Sequence, residues 1–258
     1  MRSVCWWKNS ISIVSCYTFD LRSMPIHMRL VGRARLGRFG AWFSSSTSSC
    51  AGASPDETLH YPEPPTSQHQ CLDSFLQYAK RTGLDPASTI YVGTHFEYTV
   101  MKSLSRYGFS LRRVGGVSDY GIDLLGTWTV PSSTTPLKVL LQCKAMSRKA
   151  LPHHIRELEG AFVGAPTGWR GRNVVGFLAT QQPASKGVRE SLGRSRWPMG
   201  FITCSQLGQV QQMLWNVGAV DQGLSNLGVT MQHGAKGDSQ VALSFRGAPI
   251  APRRLSGS

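Results

Sequence analysis

The sequence predicts an α/β fold whose core runs helix, three-stranded meander, helix, strand, with additions toward the C-terminus. Three observations carry this. Phe96, Val100, Met101 and Leu104 recur at helical spacing between residues 94 and 106. Three strand-like runs follow, Phe109 to Val114, Ile122 to Trp128 and Leu137 to Lys144, the last two joined by a turn from Pro131 to Pro136. Asn173 to Thr180 is then an almost unbroken apolar run, the pattern of a strand covered on both faces.

The chain has 258 residues and a formal net charge of +14. That length suits one domain of about 170 residues with extensions. Residues 1–53 carry seven basic side chains against Asp20 alone and read as a basic leader. From Met28 to Ser49 the leader is rich in arginine and serine, free of acids and amphipathic if helical, which is the composition of a mitochondrial presequence. A disordered basic tail is the alternative. Asn9 to Phe19 is too short and polar to span a bilayer, and Trp197 to Val220 carries four glutamines, so no transmembrane segment is predicted.

Residues 54–70 hold Pro55, Pro62, Pro64 and Pro65 and predict a linker. The folded domain is expected over residues 71–250, with a flexible tail over 251–258. A first helix is predicted from His69 to Arg81, ending at Gly83, and the helix bearing Glu97 follows a serine or threonine cap. Gly108 stops that helix. After the meander, Pro152 to Val163 reads as a helix burying Ile155, Leu158, Ala161 and Phe162. Ser185 to Arg194 reads as a short basic helix, Met199 to Cys204 as a strand and Gln209 to Trp215 as a helix. Val229 to His233 and Gln240 to Arg246 suggest a terminal hairpin.

Two segments of the meander carry chemistry: Asp119-Tyr-Gly-Ile-Asp123 and Gln142-Cys-Lys144. Side chains two apart on a strand share a face, so Lys138, Leu140, Gln142 and Lys144 point one way and Val139, Leu141 and Cys143 the other. Asp123 is expected to oppose Ile122 and Leu124. A carboxylate such as Asp123 can hold a divalent cation that polarises a phosphoryl oxygen, while a lysine orients the attacking water. Gln142 offers a neutral oxygen ligand, and a helix over the hairpin can aim Glu97 at the same ion. Taken singly, each segment reads as an ordinary turn or strand end. Asp119 serves equally as a second acid or as a turn former.

In that order, Glu97, Gly115-Gly116, Asp119-x-Gly-Ile-Asp123 and Gln142-x-Lys144 resemble the PD-(D/E)XK nuclease superfamily, and within it the Mrr-like restriction endonucleases that use Gln-x-Lys. From Ile90 to about Ile250 the chain is similar to a fungal mitochondrial family required for respiratory growth. The resemblance implies a restriction-endonuclease-like core, Mg²⁺ or Mn²⁺ as cofactor, and double-stranded DNA as substrate. It implies Asp123, Gln142 and Glu97 as metal ligands with Asp119 as a further candidate, Lys144 as the water-orienting cation, the mitochondrial matrix as location, and a homodimer as a familiar arrangement.

Between Pro86 and Gly200 basic residues exceed acids by nine, which fits a phosphate backbone drawn to an acidic centre. Arg112, Arg113, Arg148, Lys149, Arg170 and Arg172 are the backbone-contact candidates, a generally basic surface being their alternative. The six cysteines lack the spacing of a zinc site or disulfide framework, and no nucleotide-hydrolysing P-loop is present. The expected function is metal-dependent hydrolysis of DNA in mitochondria, supporting respiratory growth through genome maintenance. The alternative is a nuclease-fold nucleic-acid-binding or assembly factor that does not cut.

Overall fold

The computed structural model describes residues 59–64, 66, 68–115, 120–131, 135–233 and 239–252. The leader and the presequence expected from Met28 lie outside these residues, as does Asp119. Helix α1 (Leu72–Thr82) is capped by reciprocal bonds between Cys71 and Ser74 and ends at Gly83, whose φ of 68° suits a residue without a Cβ. Helix α2 (Thr89–Ser105) starts where the Ser88 hydroxyl accepts the Tyr91 N–H at 3.2 Å. Then follow β1 (Phe109–Arg113), β2 (Leu124–Trp128) and β3 (Leu137–Lys144), α3 (Pro152–Gly164), β4 (Val174–Thr180), α4 (Lys186–Arg194) and β5 (Met199–Cys204). The predicted order of helix, meander, helix and strand is therefore found.

These strands form one six-stranded sheet in the order β1-β2-β3-β4-β5-β6, with β6 spanning Val210–Trp215. The meander is antiparallel, β3, β4 and β5 run parallel through the α3 and α4 crossovers, and β6 returns antiparallel. Every residue of β4 is buried, as its unbroken apolar sequence requires at the centre of a sheet covered on both sides. Phe96, Val100 and Leu104 of α2 pack with Val139 and Leu141 on one face. Ile155, Leu158 and Phe162 of α3 pack with Leu140 and Leu178 on the other. Both faces of the hairpin are thus covered: Leu140 is fully buried, and Gln142 next to it in the same row is buried as well.

Two elements depart from the sequence reading. Strand β2 begins at Leu124, because Tyr120 and Gly121 both adopt left-handed φ (52° and 78°) and turn the chain just before it. Ile122 consequently joins the α3-side core while Leu124 joins the α2 side, so Asp123 does not simply oppose both. The segment expected as a helix from Gln209 is strand β6. A register shift between Thr203 and Cys204 lets Val210 and Met213 both point inward three residues apart, which mimics helical spacing in the sequence.

The predicted terminal hairpin is present as β7 (Leu227–His233) and β8 (Ser239–Phe245), extended by β9 (Ala248–Pro249). Leu227, Val241 and Leu243 join the α2-side core, and the Tyr107 hydroxyl donates to the Val241 carbonyl at 2.9 Å. Among the described residues no helix is long and apolar enough to cross a membrane. The end of the Pro-rich stretch lies against the domain rather than acting as a free spacer: Leu59 and Tyr61 pack on the α3-side core, and Trp169 Nε1 donates to the His60 carbonyl at 2.9 Å.

His69, just before α1, is buried against Tyr98 of α2, with its Nδ1 2.8 Å from the hydroxyl. Burial, and to a lesser degree the Arg113 charge, hold its imidazole below the usual value. The folded protein therefore takes up this proton less readily than the unfolded chain. The associated stability is complete above the unfolded pKa of about 6.5 and is lost as pH falls from there through the folded value. Urea midpoints are expected to drop between about pH 7 and about pH 5.5, and more steeply in the parent than in His69→Gln. Parallel pH slopes for the two proteins would remove His69 from this role.

Candidate functional site

The end of β3 and the turn before β2 bring three of the four predicted catalytic residues together. The Asp123 N–H donates to the Leu141 carbonyl at 2.9 Å, which sets Asp123 across the hairpin from Gln142. Its carboxylate Oδ2 accepts the Cys143 N–H at 2.6 Å, a charge-assisted bond that fixes the side chain beside β3. Gln142 is buried, and its amide lies under the preceding turn: a Cβ on Gly121 would come within 2.9 Å of Gln142 Nε2. Glycine at position 121 is thus required twice, by its φ of 78° and by this close approach.

Gln142 Oε1 is buried without a hydrogen-bond partner. An orphaned acceptor in a protein interior costs free energy, so its retention calls for an explanation such as an ion. An amide oxygen and a carboxylate on residues that oppose each other across a hairpin suit a hard divalent cation, which takes oxygen ligands. The residues present therefore fit Mg²⁺ or Mn²⁺ held by Asp123 and Gln142. Among the described residues no three of His, Cys, Asp and Glu cluster as a metal centre, so the donor set depends on the amide.

Lys144 follows on the same face, with its Nζ 3.3 Å from Glu157 of α3. Of the two acids on that helix, Glu157 is the one that reaches the hairpin. His153 also approaches Glu157, at 4.0 Å, whereas His154 is turned inward and its Nδ1 accepts the Leu151 N–H at 3.0 Å, capping α3.

Glu97 sits differently from the expectation. It lies on α2, on the other face of β3, and its carboxylate is paired with Arg113 with both side chains largely buried. The fields of Asp123 and Glu97 both act on Cys143, whose thiol is raised well above its usual pKa by burial first and by these two acids next. Both acids thus lie near the end of β3, and Cys143 is a packing residue on the α2-side core. Cys204, pushed up to about 11 by burial, is likewise held as the neutral thiol.

The six predicted backbone contacts divide. Arg148, Lys149, Arg170 and Arg172 are exposed in the loops after β3 and before β4. Arg112 is exposed and its guanidinium lies 4.4 Å over the Tyr61 ring. Arg113 is the departure: strand alternation turns it inward to Glu97, so the Arg112-Arg113 pair does not present one surface. Sequence reasoning also missed Tyr61, His69 and Tyr98, which gather beside Arg113. The signal for Tyr98 was its place next to Glu97, while Tyr61 was hidden in a stretch read as linker.

A family model described as Required for respiratory growth protein 7 matches residues 88–135 and 130–232, more than half of the chain and all four candidate catalytic residues. The chain belongs to this family. A mitochondrial protein of Schizosaccharomyces pombe is 30% identical over 152 residues, 57% of this chain and 60% of that protein. The Required for respiratory growth protein 7 of Saccharomyces cerevisiae is 24% identical over 172 residues, 50% of this chain and 71% of that one. That of Zygosaccharomyces rouxii is 31% identical over 144 residues, 40% and 60% of the two chains. The match thus leaves about two fifths of the fission yeast relative's length uncovered. Among solved structures, the MspJI restriction endonuclease in complex with a 27-mer oligonucleotide aligns at a TM-score of 0.32 and 14% identity, covering 53% of this chain and 29% of that one. That likeness is too slight to bear on chemistry. The Required for respiratory growth protein 7 relatives are named mitochondrial, and the shared region holds the meander with its two motifs.

Proposed function

We propose that this member of the Required for respiratory growth protein 7 family hydrolyses phosphodiester bonds of duplex DNA in the mitochondrial matrix, with Mg²⁺ or Mn²⁺, and supports respiratory growth through genome maintenance. The observation that carries this is the orphaned Gln142 Oε1, placed across the hairpin from Asp123 with Lys144 two residues further along the same face. Asp123 and Gln142 hold the ion, which supplies Lewis-acid polarisation and an acidified water when bound. Lys144 orients the attacking water and stabilises negative charge developing at the phosphoryl oxygens. Glu157 holds the ammonium in place before substrate arrives. Glu97, although paired with Arg113, is the additional acid on the α2 side, and Asp119 is a further candidate acid. Arg148, Lys149, Arg170 and Arg172 take the phosphate backbone.

One feature favours a second reading, a nucleic-acid binder that does not cut: Glu97 is engaged by Arg113, which leaves the ion with few protein charges. Incubation of the purified protein with supercoiled plasmid separates the two. Under the first reading Mg²⁺ or Mn²⁺ produces nicked circles and EDTA abolishes them. Salt-sensitive plasmid binding with no nicking in either metal would leave the second reading standing.

A further inference from the structure

Next to the Glu97–Arg113 pair lies a cavity of about 420 Å³, bounded by the strap over residues 61–64, α2 and β1. Its size falls in the range of pockets that hold a small organic ligand, about 300 to 1,000 Å³. The wall is aromatic and cationic together: Tyr61, Tyr98 and His69 line it with Arg112 and Arg113, over a floor of Met101 and Leu111. We propose that this cavity binds a nucleoside 5′-monophosphate unit, with the base stacked on the Tyr61–Arg112 pair and the phosphate on the Arg112 N–H groups. This deepens the nucleic-acid reading above, and it can be tested without cleavage.

Three arrangements support that ligand. The pocket is preformed, because Trp169 fixes the strap through the His60 carbonyl and packs edge-on to Tyr61 with ring centres 5.0 Å apart. Arg112 is exposed and stacked on Tyr61, so an aromatic-backed guanidinium presents its outer plane to a base and its N–H groups to a phosphate. Arg113 lies 5.9 Å over Tyr98 and pairs with Glu97, so the cavity adjoins the acid on the α2 side.

His69 supplies an edge that can read the base. The single Tyr98 hydroxyl proton goes to the His69 carbonyl at 2.9 Å. The 2.8 Å contact between the same oxygen and His69 Nδ1 is then made by the Nδ1 proton. In the neutral ring this leaves Nε2 as an acceptor, without a partner among the described residues, on a side chain that lines the cavity. A donor on a nucleobase edge matches it.

The same chemistry is offered by a free nucleotide and by a nucleotide splayed from a strand. Isothermal titration of the full chain in EDTA, where cleavage cannot contribute, uses AMP, adenosine and inorganic phosphate as probes. AMP is expected to bind more tightly than either fragment. Arg112→Gln, an exposed change that spares the fold, is expected to weaken AMP about tenfold. Tyr61→Phe keeps the stack and the affinity, whereas Tyr61→Ala loses about tenfold with an unchanged circular dichroism spectrum. AMP binding no tighter than phosphate, or equal affinities in Arg112→Gln, Tyr61→Ala and the parent, overturns the proposal. Displacement of AMP by a short single-stranded oligodeoxynucleotide assigns the site to a strand, and failure to displace assigns it to the free nucleotide. AMP binding without plasmid nicking keeps the pocket and removes hydrolysis; nicking without AMP binding does the reverse.

Discussion

Lys144→Ala is expected to slow plasmid nicking by about 10² to 10³-fold while leaving the protein folded and able to bind DNA. The loss is large because the ammonium is the cation next to the ion-binding pair, where transition-state charge develops in a partly closed site. The structural cost is small because the Lys144 to Glu157 pair, at 3.3 Å, is partly exposed on both sides, and such pairs contribute little to stability. Removing the lysine leaves Glu157 hydrated rather than stranded. Binding should weaken only slightly, since Lys144 is one of many cations on a chain of net charge +14. The comparison that decides is the ratio of nicking to binding. If both fall together, Lys144 is a phosphate contact and the cutting centre lies elsewhere; if neither falls, the end of β3 is not the site.

The core of this molecule was legible because its strands and helices obey their own periods. Leu137 to Lys144 is legible with its observed bounds, since Leu137, Val139, Leu141 and Cys143 alternate with a row that holds Lys138, Gln142 and Lys144 between a proline turn and a loop. Pairing of Gln142 with Asp123 followed from the hairpin. What the sequence concealed was depth and third-party contact. Glu97 sits at helical spacing over the meander, but nothing local reveals that Arg113, sixteen residues away and inward by strand alternation, takes its carboxylate. Strand β6 was misread for a physical reason as well: the bulge opposite Cys204 shifts its inward positions from a period of two to a spacing of three. The strap over residues 59–64 escapes such a reading because proline excludes regular structure without excluding packing.

Trp128 anchors the opposite end of β2 from Asp123. It is fully buried, faces Phe109 across the strand pair with ring centres 4.4 Å apart, and meets Phe177 and Trp215 edge-on at 5.8 and 6.3 Å. Its indole N–H donates to the Tyr107 carbonyl at 3.0 Å, tying the exit of α2 to β2. Trp128→Ala therefore combines a large cavity with an unpaired carbonyl, and is expected to cost about 3 to 5 kcal/mol in a urea titration. Trp128→Phe keeps most of the ring contact and loses the hydrogen bond, so its cost should be nearer about 1 to 3 kcal/mol. Because the change lies at the far end of the strand, the folded Trp128→Phe protein is expected to nick plasmid at the parental rate below its unfolding transition. A folded Trp128→Phe protein that binds DNA but cannot nick would mean that the turn at residues 120–123 depends on the register of all of β2. A cost below about 1 kcal/mol for Trp128→Ala would show that the α2-side core closes around the gap and that this aromatic cluster is not what holds α2 on the sheet.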